Sequence, residues 1–249
     1  MNKFADKIHV LFRKEDIDAS KMEGKIVVVL DILFATTTIV SALNNGINSV
    51  IPVFNAQDAR EKKDESNANK ILLAGELYAD TIEGFAPPTP IALSQNLSHG
   101  FDQLIYSTTN GTVAIKNSIN AKKIYVGSLL NAKATIDDLI NNYNEETILI
   151  ICSGSIGRPN LEDTFGAGYF INLLRKKLVH SKKTVFSDAA VISEYLFKSN
   201  QNETMKLFHE SRVGQIMLER KLDNELVYAS KFDEYNIVTK YEKGHIIKC

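Results

Sequence analysis

The sequence contains no tryptophan, two cysteines and five prolines in 249 residues. The missing tryptophan excludes nothing. The two cysteines, Cys152 and Cys249, are far apart, and the second is the last residue. They give no disulfide framework, and a reducing compartment suits them. Long apolar runs are also missing. The longest, such as IVVVL at 26–30 and ILIIC at 148–152, are far too short to span a bilayer. The first twelve residues, MNKFADKIHVLF, carry charge and lack the apolar stretch of a signal peptide. Cys249 is terminal and makes no prenylation motif. The formal net charge of −1 provides no field to attract nucleic acid or an anionic membrane. The expectation is a cytoplasmic protein without nucleic-acid or membrane partners, with a homodimer left open. The five histidines (His9, His99, His180, His209 and His245) show neither HxH nor HExxH spacing.

What is present is a repeated alternation. Short runs rich in Val and Ile predict strands at 26–31, 49–53, 71–74, 104–107, 124–127 and 147–152. Continuous apolar runs of this length suit strands buried on both faces. Helical patterns lie between and after them, at 36–45, 56–66, 112–119, 132–142 and 162–178. Helices near 187–198 and 211–220 follow, with strands expected to return near 225–229 and 236–240. The polar stretch 62–70 reads as a helix end and loop, and FAPPTP at 85–90, with three of the prolines, as a stiff extended loop. The alternation predicts a three-layer α/β/α fold with a largely parallel sheet. The whole chain 1–249 is read as one α/β domain, and the regular pattern allows two similar lobes, about 1–130 and 131–249.

In such a sheet, ligands bind beyond the carboxyl ends of the strands. Five of the six predicted strand ends open with small, polar or acidic residues. These are Asp31 with Thr36, Thr37 and Thr38; Gly75 and Glu76; Ser107 with Thr108, Thr109, Asn110, Gly111 and Thr112; Gly127 with Ser128; and Cys152, Ser153 and Gly154 followed by Glu162 and Asp163. Loops are polar anyway, but five such loops at one sheet edge are harder to explain that way. Asp31, Glu76, Glu162, Asp163 and the later Asp188 are candidate ligands. A set of hard oxygens without a His or Cys cluster points to Mg²⁺ rather than zinc. A charge at a helix start is stabilising by itself, which would also account for Glu162 and Asp163. Asp31 ends an apolar strand, where a lone charge is costly. The Thr-rich runs, with Ser128, Cys152, Ser153 and Gly154, are candidates for holding an anion through hydroxyls and backbone N–H groups. Plain helix capping needs only one hydroxyl.

A rival motif is C-x₅-R from Cys152 to Arg158, the spacing of cysteine-dependent phosphatases. Ile151 stands where a His is usual in that motif and Pro159 where a hydroxyl is usual. A small apolar Cys closing a buried strand is the simpler reading.

Taken in order, these segments resemble the 2-phosphosulfolactate phosphatase family from about residue 24 to about 240. The matching pieces are D-x-L-x-A-T-T-T at 31–38, A-G-E at 74–76, T-T-N-G-T at 108–112, G-S-x-x-N at 127–131, and C-x-G-x-x-G…E-D-x-x-x-A-G at 152–168. Ser187-Asp188-Ala189 and a weaker stretch at 211–223 follow. The resemblance implies an α/β/α fold, a Mg²⁺ requirement and hydrolysis of the phosphate ester of a small anionic, sulfonated hydroxy acid. Asp31, Glu162 and Asp163 are then the candidate catalytic groups. The chain departs from the family pattern at Phe34 and Leu77, where Arg is usual, and at the Ala-Pro-Pro-Thr-Pro loop, where G-N-S-P is usual. Two lost guanidinium groups would remove charge-assisted contacts of about 1.5–3 kcal/mol each. That leaves Arg158, Arg212 or lysines as substitutes, or else a non-catalytic small-anion-binding protein on the same scaffold.

Overall fold

The computed structural model describes residues 7–66, 70–97, 100–179 and 184–249. Asn67–Asn69 of the polar stretch, and His99 and His180, lie outside them. Ten strands form one sheet among the described residues: β1 (Ile8–Leu11), β2 (Ile26–Leu30), β3 (Ser49–Val53), β4 (Ile71–Leu77), β5 (Asp80–Thr81), β6 (Gln103–Ser107), β7 (Lys123–Gly127), β8 (Ile148–Cys152), β9 (Thr239–Glu242) and β10 (His245–Lys248). Their spatial order is β1-β8-β2-β7-β9-β10-β3-β6-β4-β5. Two parallel blocks stand out, β1-β8-β2-β7 and β3-β6-β4. The antiparallel pair β9-β10 joins them, and β5 turns back on β4. The expected α/β architecture with a mostly parallel sheet is therefore present.

The helices are α1 (Ala35–Asn44), α2 (Ala56–Asp64), α3 (Pro90–Leu97), α4 (Gly111–Asn117), α5 (Ala132–Asn141), α6 (Leu161–Lys177), α7 (Asp188–Asn200), α8 (Thr204–Glu210), α9 (Arg212–Glu219) and α10 (Asp223–Ala229). One face of the first block, with Ile26, Val28, Leu30, Ile148 and Ile150, packs with Ile136 of α5, Phe170 of α6 and Phe197 of α7. Its other face supplies Val27, Val29 and Ile151 to a second core. That core also holds Val50, Leu104 and Tyr106 of the second block, with Ile39 of α1 and Ala114 of α4. Helices α1 and α4 thus serve both blocks, which brings the carboxyl ends of β2 and β8 toward those of β4 and β6.

Residues 225–229, expected as a strand, form the end of α10. Glu225, Leu226 and Ala229 are buried while Val227 is exposed, a helical rather than alternating pattern. The strand expected near 236–240 begins at Thr239. The proline loop stays outside helices through Thr89, with Ala86 bridged to Ala74. Pro90 opens α3, where its missing N–H costs nothing. Strand β1 has no counterpart in the predicted elements: four residues of IHVL pair with β8 without a long apolar run. No described helix is long and apolar enough to cross a membrane.

Candidate active site

Asp31 directly follows β2 and is 8% exposed. The backbone N–H groups of Ala35 and Gly111 lie beside its carboxylate and favour its charged form. Gly111 is required there: a Cβ would lie 2.3 Å from the Ala35 Cβ and 2.6 Å from Asp31 Oδ2. Burial first, then the neighbouring charges of Asp163 and Glu76, raise the Asp31 carboxyl well above the usual carboxylate range. Its neighbours are therefore acidic, as expected of the strand ends.

Glu76, near the end of β4, is 5% exposed. Its Oε1 accepts from Thr109 N at 2.6 Å, and its Oε2 accepts from Ala79 N at 2.6 Å and Thr109 Oγ1 at 3.0 Å. Asp163, in the first turn of α6, accepts from Ile32 N at 2.9 Å and Gly154 N at 3.1 Å. It ties the loop after β8 to the loop after β2 behind Asp31. Burial and the adjacent Glu162 push it up to about 8 despite these donors. Burial likewise pushes Glu162 up to about 7, against a hydrogen bond from Ser211 and the charge of Arg212. Among the described residues, none of these four carboxylates makes an ion pair with Lys, Arg or His.

A small cleft of about 90 Å³ opens over Asp31 and Glu76. Its walls come from four strand ends and one helix: Phe34 after β2, Tyr78 and Ala79 after β4, Thr109 and Asn110 after β6, Ser155, Ile156 and Asn160 after β8, and Arg212, Val213 and Ile216 of α9. Arg212 sits at the first position of α9, capped by Ser211, and donates to Ser155 Oγ and to Ser155 O at 3.4 Å. Lys14 Nζ donates to Asn110 Oδ1 at 2.8 Å, leaving the Asn110 Nδ2 as a donor for the cleft. Lys14 and the α9 side chains, apart from Arg212, were not candidates in the sequence. They lie far from any strand-end motif, and only the fold brings them there.

Several expected anion contacts do not form. Thr36, Thr37 and Thr38 are fully buried. Their hydroxyls donate to Asp31 O (3.0 Å), Ile32 O (2.6 Å), and both Phe34 O and Pro88 O (2.8 Å each). They shape the β2–α1 turn from within and have no hydroxyl free for an anion. Thr108 and Thr112 are buried and bind one another. Ser128 is buried in a capping box with Asn131, and the end of β7 contributes nothing to the cleft. Ser153 is buried with its hydroxyl on Leu30 O at 2.8 Å, and Gly154 spends its N–H on Asp163. Of the predicted anion-binding residues, Thr109 and Asn110 line the cleft, and Gly111 acts through Asp31.

Asp188 is not brought to the site. It is exposed at the start of α7, next to Ser187, whose N–H binds Ile8 O at the amino-terminal end of β1. Glu162 is buried near the cleft without lining it. The cysteine mechanism finds no support. Cys152 is fully buried, its thiol is raised well above its ordinary value by burial and by Asp163 and Glu162, and Arg158 is exposed outside the cleft. Of the two positions where Arg was missing, Phe34 forms a wall of the cleft and Leu77 is 56% exposed in the adjoining groove.

Two acidic side chains at converging strand ends thus face one cleft together with a guanidinium, on an α/β scaffold. The comparisons make this specific. A family model described as 2-phosphosulpholactate phosphatase matches residues 11–244, and the chain belongs to that family of phosphate-monoester hydrolases. It is 35% identical over 240 residues to the "Probable 2-phosphosulfolactate phosphatase" of Clostridium tetani, covering 96% of this chain and 99% of the relative. Proteins of the same name from Clostridium acetobutylicum (33% over 242 residues, 97% and 100% covered) and Clostridium kluyveri (34% over 247 residues, 98% of each) are similar over their full length.

Proposed function

We propose that the chain is a Mg²⁺-dependent phosphatase that hydrolyses the phosphate ester of a small anionic hydroxy acid, with 2-phosphosulfolactate the first compound to test. The observation that carries this reading is the pair Asp31 and Glu76, two buried carboxylates facing one cleft and, among the described residues, in no ion pair. Among the described residues, no three acidic, imidazole or thiol groups converge as a ready-made cage. Mg²⁺ is typically held by one or two carboxylates together with substrate phosphate oxygens and water. Asp31 and Glu76 would hold the ion, and Asp163 would keep Asp31 in place from behind. When bound, the ion supplies charge neutralisation and Lewis acidity at the phosphate.

The chain's own groups account for the rest. Arg212 offers a guanidinium to the phosphate or to the second anionic group of the substrate. Asn110 lines the same cleft and offers its amide to the substrate. Phe34, Val213 and Ile216 give the cleft apolar walls beside these polar groups. The test is phosphate release from a panel of monoesters that includes 2-phosphosulfolactate, with Mg²⁺ and with EDTA. Turnover with Mg²⁺ that falls on the order of 10²–10³ or more in Asp31→Asn is expected. Turnover unchanged by EDTA would refute the ion, and absence of any phosphate release would refute the reading as a whole.

A further inference from the structure

The two-residue hairpin turn between β4 and β5 carries no glycine, asparagine or aspartate at its central positions. Tyr78 and Ala79 both adopt left-handed backbone conformations, with φ of 53° and 66°. Non-glycine residues are strained there and stay so only when their surroundings hold them. This turn also presents the Ala79 N–H that binds Glu76 Oε2 at 2.6 Å, and Tyr78 N donates to Thr109 Oγ1, itself bonded to Glu76. The geometry of the Glu76 carboxylate therefore depends on two strained residues.

The pairing of β4 with β5 holds the turn at its two ends, and a further hold comes from a distant part of the chain. Arg220, directly after α9, donates to Ala79 O at 2.6 Å, to Tyr78 O at 3.5 Å and to Asp80 Oδ1 at 2.8 Å. One guanidinium thus grips both left-handed carbonyls and the following side chain. The same helix carries Arg212 into the cleft at its other end. We propose that Arg220 is a positioning residue: by holding the Tyr78–Ala79 turn in its left-handed form, it fixes the Glu76 carboxylate for ion binding. The inference rests on the reading of Glu76 as an ion-holding group.

The Asp80 bond is a minor part of this grip. Asp80 is 77% exposed, and pairs of that kind contribute little. The carbonyl bonds matter because they oppose the return of the turn to a right-handed conformation. Glycine at position 79 would remove most of the strain at φ 66°, so Ala79→Gly should lessen the need for Arg220.

The experiment compares the full chain with Arg220→Ala, Arg220→Lys, Asp80→Asn and the double variant Arg220→Ala/Ala79→Gly. Two quantities are read without substrate: hydrogen exchange at the amides of Ala79 and Thr109, the two that donate to Glu76, and Mg²⁺ binding by calorimetry. Arg220→Ala should speed exchange at both amides while leaving β2 and β8 protected, and should weaken Mg²⁺ by about tenfold, as loss of an orienting partner does. Asp80→Asn should change neither, and the double variant should recover part of the loss. Arg220→Lys, which keeps the charge but offers one point donor, should fall between and serves if the alanine variant does not fold. Unchanged exchange at Ala79 and Thr109 in the Arg220 variants would overturn the proposal, as would faster exchange with unchanged Mg²⁺ affinity. If the unaltered chain takes up no Mg²⁺, the ion reading falls, and exchange alone then decides whether Arg220 positions Glu76.

Discussion

Replacing Glu162 with Gln should make the folded protein more stable at pH 8 than the unaltered chain, and this advantage should vanish in acid. Glu162 is 2% exposed in the first turn of α6, and its carboxyl is raised from an ordinary 4.5 to about 7, chiefly by burial. Below about pH 4.5 the group is protonated in both the folded and the unfolded chain and has no effect on the balance. Between 4.5 and 7 the unfolded chain releases the proton while the folded chain keeps it, so stability falls as pH rises. Above about pH 7 both forms are ionised and the loss is complete. At about 1.4 kcal/mol per tenfold difference in proton affinity, it amounts to about 3 kcal/mol. Gln keeps the shape and can still accept from Ser211, but it has no proton to lose. The difference in unfolding free energy between variant and unaltered chain should therefore move by about 3 kcal/mol in the variant's favour from pH 4.5 to pH 8. Removing the charge also removes one cause of the raised Asp163 carboxyl, which acts in the same direction. Urea unfolding in EDTA across this range measures the difference, and thermal midpoints should follow at roughly 2–4 °C per kcal/mol for a chain of this size. A difference independent of pH, or one that favours the variant more in acid, would refute the argument.

Gly111→Ala should reduce phosphate release and cost about 1–3 kcal/mol of stability, because the new Cβ would strike Ala35 and the Asp31 carboxylate. Kinetics and denaturant unfolding of the same preparation check both effects, and full activity would show that Asp31 does not need this close contact. Cys152→Ser should leave turnover unchanged while costing about 1–3 kcal/mol, since a hydroxyl replaces a thiol in a fully buried strand end; loss of turnover in a well-folded variant would restore the thiolate mechanism. Arg212→Ala should raise KM roughly 10–100-fold, the worth of a charge-assisted contact, and steady-state kinetics showing an unchanged KM would remove Arg212 from substrate binding.

The parallel strands were legible because each is a continuous apolar run buried on both faces, and β2, β3 and β8 fall where the sequence places them. β1 was not, since four residues against β8 give no periodicity of their own. Residues 225–229 misled because Val and Tyr favour strands, whereas the decisive fact is tertiary: Glu225 turns inward to bind Thr89 Oγ1 and the N–H groups of Ile91 and Ala92, capping α3 from α10. At the site, the acidic strand ends were readable because a charge closing an apolar strand is costly without a purpose. The hydroxyls were misread for a physical reason. A threonine run at a strand-to-helix turn can satisfy its own backbone, and Thr36, Thr37 and Thr38 do so.

The same distinction explains why the cleft depends on residues far along the chain. Strand ends of the two blocks bring Asp31 and Glu76 together, with α1 and α4 setting the distance between the blocks. Parallel strands alone would leave those carboxylates repelling one another at an open edge. The segment from Ser211 to Ala229 closes that edge at three points: Arg212 on Ser155, Arg220 on the Tyr78–Ala79 turn, and Glu225 on the start of α3. Each bond joins this segment to a different strand-end loop, so the loops share one support. Displacement of α9 would therefore loosen the Ser155 wall and the Glu76 turn together, which makes the carboxyl-terminal helices part of the site's construction rather than a cover laid over a finished one.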